Sequence, residues 1–254
     1  MIEITRNVGK WGNSAGILLP KEWLGNQVKV ILIERTSEIK KEVLTILENY
    51  LEELLGVYIV GSYARGEQDK ESDIDILAIS KNLSKEIVSG KYHVSIAPLE
   101  KLKKTLEKNP ILILPRILEA KPILNSSLTD ELKSIKVSKS DFSNYIEETK
   151  RIIEINKKLL EKEDKEVSPE IVYSLVLRLR GICIIKSILK NKLYSKTEFQ
   201  RELSKIVKKD EIEKVYNIYR AIRDNKKTKI KIKTEIAKNL LDFLEKEINN
   251  YSKW

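Results

Sequence analysis

The chain has 254 residues, enough for two compact domains or for one domain with an appendage. Its formal net charge of +10 makes polyanions such as nucleic acid or nucleotide phosphates plausible partners, with a solvated Lys/Glu surface as the alternative. No segment approaches the roughly 18 consecutive apolar residues of a membrane span, which argues against an integral membrane protein.

The single cysteine, Cys183, lies in an apolar run and has no partner for an intramolecular disulfide. We therefore expect a reducing compartment, and a packing role for this side chain rather than a nucleophilic one. The first residues include acids where a secretory signal would be apolar, so the sequence predicts a cytosolic protein.

The first region, residues 1–36, is predicted to contain short strands joined by small turns. The strands are expected in "MIEITRNVG", "AGILLP" and "QVKVILIE". Pro20 is well suited to the first position of a helix, so "PKEW" predicts a short helical turn.

The second region, residues 37–137, has a different hydrophobic period. Apolar residues on one helical face predict a long helix from Ser37 with Gly56 as its C-terminal stop. Strands at residues 57–60 and 73–79, a helix at residues 81–89, a strand in "YHVSIAP" and a helix in "LEKLKKTLEKN" follow. This order predicts a small mixed sheet backed by helices.

The third region, residues 138–254, is predicted to be a helical bundle. Its amphipathic patterns are expected to form helices over residues 141–163, 168–191, 196–208, 210–224 and 234–251. The Lys-rich stretch at residues 226–233 predicts a short extended connection. The fold class is therefore α+β: a small β-hairpin module, a mixed-sheet core and a C-terminal helical bundle.

The stretch "VYIVGSYARGEQDKESDIDILAIS" carries the chemistry of the second region. Gly61 allows close approach of the backbone to a ligand, and the amides of residues 61–63 with the Ser62 hydroxyl form a candidate phosphate cradle. Asp73 and Asp75 are two apart on a strand, so their carboxylates point to the same face. Such a pair favours a hard divalent cation such as Mg²⁺, which could bridge to a triphosphate and support nucleotidyl transfer.

The motif "GSYARGEQDKESDID", with ten residues between Ser62 and Asp73, resembles the signature of the polymerase-beta-type nucleotidyltransferases. The likeness is greatest to their minimal branch, which includes antitoxins that adenylylate a partner and the kanamycin-type enzymes. It covers residues 38–124. The resemblance implies that Gly61 and Ser62 contact the nucleotide phosphates, that Asp73 and Asp75 bind Mg²⁺, and that Arg65 steadies the phosphates or the loop.

Plain structural roles are the alternative for each of these residues. Ser62 would then cap a helix, Asp73 would cap a strand and Arg65 would pair with a surface acid. The resemblance also implies a third carboxylate on the next strand, where this chain has His93 and Ser95 on one face. His93 is a candidate general base, with a polar surface histidine as the alternative.

The N-terminal segment "VGKWGNSAGILLPKEWLGNQVKVILIE" resembles the AbrB/MazE-like swapped-hairpin DNA-binding family. That resemblance implies a homodimer, because one copy is too small to bury its apolar face. It also implies contacts to duplex DNA through loop positions, with dimerisation alone as the alternative. The candidate DNA-binding residues are Arg6, Lys10, Asn13 and Lys21.

The sequence thus predicts a Mg²⁺-dependent enzyme that moves a nucleoside monophosphate, AMP from ATP being the first expectation, to a hydroxyl of an acceptor. The acceptor is a small molecule, a protein or an RNA. The catalytic residues are expected to be Asp73, Asp75 and His93. The alternative is a DNA-binding regulator or antitoxin-like protein whose transferase core senses a nucleotide and is catalytically weak, because the third carboxylate is missing.

Overall fold

The computed structural model describes residue 4 and residues 9–28, 36–70 and 72–253 of the chain. The chain divides into two compact units, Met1–Ile39 and Lys40–Trp254. The expected boundary between residues 137 and 138 falls inside the second unit and stays a prediction.

The first unit contains a short antiparallel hairpin. Strands β1 (Gly9–Trp11) and β2 (Ser14–Gly16) pair across a turn in which Gly12 has a φ of +59°. A 3-10 turn at Lys21–Trp23 confirms the predicted helical turn after Pro20. The strand predicted in "AGILLP" is limited to its first residues, and the strands predicted at residues 1–9 and 27–34 lie mostly outside the described residues.

The helix predicted to continue to Gly56 is shorter than expected. Helix α1 (Thr36–Ile46) is followed by a 3-10 segment, Glu48–Glu53, and then by strand β3 (Leu54–Val60). Gly56 therefore lies inside a strand and is not a helix stop. The physical reason for glycine there is space, because a Cβ atom at Gly56 would overlap the Tyr58 hydroxyl.

The second unit is built on a five-stranded mixed sheet with the order β5-β6-β4-β3-β7. Strand β3 pairs antiparallel with β4 and β7, β4 pairs parallel with β6, and β5 pairs antiparallel with β6. The added strands are β4 (Ile74–Ser80), β5 (Lys85–Ser89), β6 (Tyr92–Pro98) and β7 (Lys121–Leu124). The predicted mixed sheet is confirmed.

The prediction of a helix at residues 81–89 is wrong, because this segment forms edge strand β5. Gly90 has a φ of +56° in the tight turn between β5 and β6, and such a turn is typical of a hairpin. Strand β5 buries little, with Val88 73% exposed, so its side chains carry no clear alternating pattern. Strand β7 was not predicted either.

Helices surround the sheet and make up most of the chain after it. The five helices predicted in the third region are confirmed with small shifts of their ends. The predicted extended connection before the last helix contains a short strand, β9 (Ile232–Lys233), which pairs with β8 (Glu166–Val167). The helices after α1 are α2 (Gly61–Arg65), α3 (Leu99–Lys108), α4 (Leu114–Glu119), α5 (Ser126–Lys133), α6 (Ser143–Leu160), α7 (Pro169–Leu189), α8 (Lys196–Leu203), α9 (Lys209–Arg223) and α10 (Thr234–Asn249).

One hydrophobic core runs from the sheet into the helices. It connects Leu77 and Ile79 of β4 with Leu175 of α7 and Leu240 of α10. Burial raises the pKa of Cys183 on α7 to about 12, which fits the packing role expected for it. Across the described ranges, every helix is too short or too polar to cross a membrane.

Candidate active site

The Gly-Ser bend and one of the two acids lie directly against each other. Strand β3 ends at Val60, which pairs with Asp75 on β4. Gly61 follows with a φ of +72°, and a Cβ atom there would overlap Asp75 Oδ2. Only glycine meets both demands without strain, because it tolerates this backbone conformation and leaves room for the carboxylate. The sequence therefore places the acid and the bend in contact.

The two acids differ in their surroundings. Asp73 precedes β4 and is exposed, whereas Asp75 is half-buried. Burial raises the pKa of Asp75 above its ordinary value, and the Asp73 charge adds to this effect. Arg116, His93 and Arg223 lower the same pKa, in that order of size, but do not reverse the shift.

His93 occupies the position on β6 beside Asp75, because the two residues are in register across the parallel strands. Its Nδ1 atom lies 3.8 Å from Asp75 Oδ1, and its Nε2 atom lies 3.5 Å from Glu86 Oε2. Glu86 belongs to β5. Because this segment was expected to form a helix, the sequence did not predict a carboxylate beside His93. Glu100 follows the other end of β6, away from Asp75.

A buried carboxylate that the sequence analysis did not identify holds the Gly-Ser bend. Glu119, at the end of α4, has a side chain that is only 7% exposed. It accepts a hydrogen bond of 2.6 Å from the Gly61 amide and one of 2.5 Å from Arg65 Nη1. The Gly61 amide was expected to be available to a phosphate, and it is instead committed to Glu119. The signal that could have identified Glu119 is an acid inside the apolar stretch "ILILPRILEAKPIL".

Arg65 and Glu67 connect the Gly-Ser bend to the helical region through hydrogen bonds. Its Nε atom donates to Glu67 Oε2 across 2.9 Å. Glu67 Oε1 accepts hydrogen bonds from the Ser195 hydroxyl at 2.8 Å and from the Lys196 amide at 2.9 Å. Burial opposes ionisation of Glu67, but the bonds from Arg65, Ser195 and Lys196 outweigh it and lower the pKa of this carboxyl.

The Ser62 hydroxyl, in contrast, makes no hydrogen bond with any residue in the part of the chain that the structure describes. It follows Gly61 in α2 and is half-buried. A hydroxyl next to a strand end and a carboxylate can donate to an anionic ligand. Ser62 is therefore available for the role that the sequence predicts.

Basic side chains from the helical region act on acids of the motif segment, residues 61–75. Arg223 on α9 acts electrostatically on Asp75 and also pairs with Asp224 through a 2.7 Å contact. Arg220 Nη1 lies 4.0 Å from Asp69 Oδ2, and Lys196 Nζ lies 3.6 Å from the same atom. Arg223 therefore adds positive charge near Asp75 that suits a polyanion, whereas Arg220 and Lys196 lie beside Asp69.

The two acids fit Mg²⁺ better than a metal that needs a full set of protein ligands. In the described ranges, no three His, Cys, Asp or Glu side chains converge to hold a metal ion. Mg²⁺ is commonly bound through one or two carboxylates, with water and substrate phosphates completing its ligands. Asp73 and Asp75 could provide those carboxylates, and a cation would relieve the repulsion between them.

The residues predicted to bind DNA lie in the first unit. Asn13 and Lys21 are exposed. Arg6 lies outside the described residues, as does the side chain of Lys10. Dimerisation and DNA binding through this unit stay predictions.

Both parts of the chain match a known family. Residues 37–246 match the family described as "Nucleotidyltransferase domain", and residues 1–35 match a family described as "Putative transposon-encoded protein". The second match does not confirm the AbrB/MazE-like resemblance.

Two curated relatives from Methanocaldococcus jannaschii are each 32% identical to the chain. "Putative protein adenylyltransferase MJ1305" matches over 47% of this chain and 83% of its own length. "Putative protein adenylyltransferase MJ0141" matches over 42% of this chain and 96% of its own length.

Among solved structures, the chain is similar to spectinomycin adenyltransferase AAD(9) from Enterococcus faecialis, crystallised with ATP and spectinomycin. The identity is 15% and the TM-score 0.43, with 86% of this chain and 100% of that chain covered. A likeness of this size carries no argument about ligands. The family match over most of the chain is decisive, and it agrees with the motif and the site: the chain belongs to the nucleotidyltransferase family and is an enzyme of that family.

Proposed function

We propose that this protein transfers AMP from ATP to a hydroxyl group, with Mg²⁺ held by Asp73 and Asp75. The observation that supports the proposal most directly is the packing of the Asp75 carboxylate against the Gly61-Ser62 bend. A triphosphate bound at the bend and a metal ion bound at the acids would then be neighbours.

Each residue of the site has a proposed role. Ser62 donates its unused hydroxyl to a phosphate oxygen, while Gly61 leaves the space in which Asp75 lies. Mg²⁺ held by Asp73 and Asp75 would neutralise charge on the phosphates and on the departing pyrophosphate. Arg223 of the helical region, which acts electrostatically on Asp75, adds to the attraction for the triphosphate.

The transfer itself replaces one P–O bond with another. The acceptor hydroxyl oxygen attacks the α-phosphorus of ATP, and the bond from that phosphorus to the pyrophosphate oxygen breaks. His93 accepts the hydroxyl proton. Its ring lies beside Asp75, and it is on β6, the strand that carries the third carboxylate in related motifs. Glu86, beside the other ring nitrogen, orients the imidazole.

The names of the two archaeal relatives support a protein as the acceptor. Both are described as protein adenylyltransferases, and this chain matches most of the length of each. We therefore propose a side-chain hydroxyl of a protein as the acceptor, with hydroxyls of small molecules and RNA as the alternatives.

The proposal can be tested with ATP labelled at the α-phosphate. The whole chain, Mg²⁺ and a cell lysate as the source of acceptor should yield pyrophosphate and a labelled protein fraction. Asp73→Asn and Asp75→Asn should each abolish both signals, whereas Asp242→Asn, at an exposed position on α10, should not. Binding of ATP without any release of pyrophosphate would contradict the transferase proposal and favour a nucleotide-sensing role.

A further inference from the structure

The motif arginine, Arg65, is fully engaged within the protein. It donates to Glu119 and to Glu67, and its guanidinium also lies over the Tyr194 ring at 5.6 Å from the centroid. Its side chain is only 13% exposed. Two carboxylates therefore neutralise its charge, and its burial limits the access of a phosphate to it.

A second arginine lies on the helix that holds the Gly-Ser bend and is not engaged in this way. Arg116 lies on α4, three residues before Glu119, so the two side chains project from neighbouring turns of the same helix face. Leu114 and Ile117 anchor that helix in the core, and Glu119 ties it to the Gly61 amide. The position of Arg116 relative to the bend is therefore fixed by packing.

The Arg116 side chain has no anionic partner among the described residues. Arg116 is half-buried, and it forms no hydrogen bond or ion pair with another residue of the described part of the chain. It lies one helical turn before Glu119, whose carboxylate accepts the hydrogen bond from the Gly61 amide, and it therefore belongs to the part of α4 that is attached to the Gly-Ser bend. Its guanidinium donors are thus available on the helix that holds the Gly-Ser bend.

We propose that Arg116 binds the phosphates of the nucleotide donor, and that Arg65 holds the loop instead. The inference rests on the proposed function and adds one assignment to it. A guanidinium can donate two parallel hydrogen bonds to a phosphate and stays charged at all physiological pH values. A triphosphate would give Arg116 the anionic partner that the protein itself does not provide.

The test is the affinity of the whole chain for ATP and for adenosine, measured by titration calorimetry with Mg²⁺ present. Arg116→Ala should weaken ATP binding by about tenfold or more, because a charged hydrogen bond is lost. Adenosine, which has no phosphate, should bind within twofold of the wild-type affinity. Arg116→Lys should recover part of the ATP affinity, and the control Arg151→Ala, at an exposed position on α6, should bind ATP like the wild type.

The outcomes separate this inference from the proposed function. If the wild-type chain binds none of ATP, GTP, CTP and UTP, the proposed function fails and the inference fails with it. If the wild type binds ATP and Arg116→Ala binds it equally well, only the inference is overturned. An equal loss for ATP and adenosine would also overturn it, because a phosphate contact acts on ATP alone. Arg116→Gln keeps most of the side-chain packing and provides the same comparison should the alanine variant not fold.

Discussion

The Gly61 amide donates a 2.6 Å hydrogen bond to Glu119 Oε1, so a carboxylate 58 positions further along the chain holds the bend at which a phosphate is expected. The same carboxylate accepts from Arg65. Because Glu119 is buried, both partners are needed to offset the cost of removing its charge from water.

Replacing Glu119 should therefore be costly for stability. Glu119→Ala leaves Arg65 with one carboxylate and the Gly61 amide with none, and we expect a loss of about 3 kcal/mol in the free energy of unfolding. Urea denaturation measures this change. Glu131→Gln is the matched control, because Glu131 is exposed and pairs with Lys103 at 3.6 Å. It should cost less than about 1 kcal/mol, and equal costs for the two variants would contradict the role given to Glu119.

Two glycines with the same backbone conformation allow the effect of backbone strain to be measured separately from the effect of a steric clash. Gly61 and Gly66 have φ values of +72° and +71°, but only a Cβ atom at Gly61 would meet Asp75. Both alanine variants should lose about 1–2 kcal/mol of stability from the strained backbone.

Only Gly61→Ala should displace Asp75, and it should lower the rate of nucleotidyl transfer by about 100-fold. Gly66→Ala should keep most of that rate. A rate for Gly61→Ala as high as that of Gly66→Ala would show that contact between Asp75 and the bend is not required.

The stability that Glu67 contributes should depend on pH. Hydrogen bonds from Arg65, Ser195 and Lys196 lower its pKa below the ordinary value of 4.5 in the folded protein. The unfolded chain therefore takes up a proton first as the pH falls, so the stabilisation is complete above pH 4.5 and is lost as the pH falls through the folded pKa.

Glu67→Gln measures this contribution. The variant should be less stable than the wild type by about 1–2 kcal/mol at pH 7, and the difference should shrink below pH 4.5. Ser195→Ala removes one of the donors and should show a smaller change of the same sign. A difference between wild type and Glu67→Gln that stays constant from pH 7 to about pH 3 would contradict the linkage.

His93 should affect turnover more than binding. Its removal in His93→Ala takes away a proton acceptor, and we expect the transfer rate to fall by about 100-fold or more while the affinity for ATP changes little. Ser89→Ala is the control, because Ser89 is at an exposed position on the neighbouring strand β5, and it should keep the wild-type rate. If His93→Ala transfers AMP at the wild-type rate, His93 is a surface histidine and not the base.

Much of the fold follows from local pattern, and the exceptions have local causes. The five helices after residue 138 carry long amphipathic patterns, which is why they were predicted with nearly correct ends. Edge strand β5 buries one face only weakly, so its sequence lacks the alternation that identifies strands. The signal that was overlooked is the hairpin turn at Gly90.

Only the part of the candidate site that lies within the motif could be predicted from the sequence. The spacing from Ser62 to Asp75 identified the bend and the acids, because these residues lie within one strand-turn-strand segment. Glu119 and Arg116 come from α4, which lies between β6 and β7 in the chain, and Glu86 comes from the mispredicted edge strand. Their proximity to the motif depends on tertiary packing, which the hydrophobic period of one chain does not specify.

The hydrophobic core that the sheet shares with the helices determines how the second unit denatures. Because apolar side chains of β4 pack in the same cluster as those of α7 and α10, neither the sheet nor the helices can lose their packing alone. Heating should therefore give one cooperative melting step for this unit. Protease cleavage between α5 and α6 should yield fragments that remain associated and that, once separated, do not stay folded.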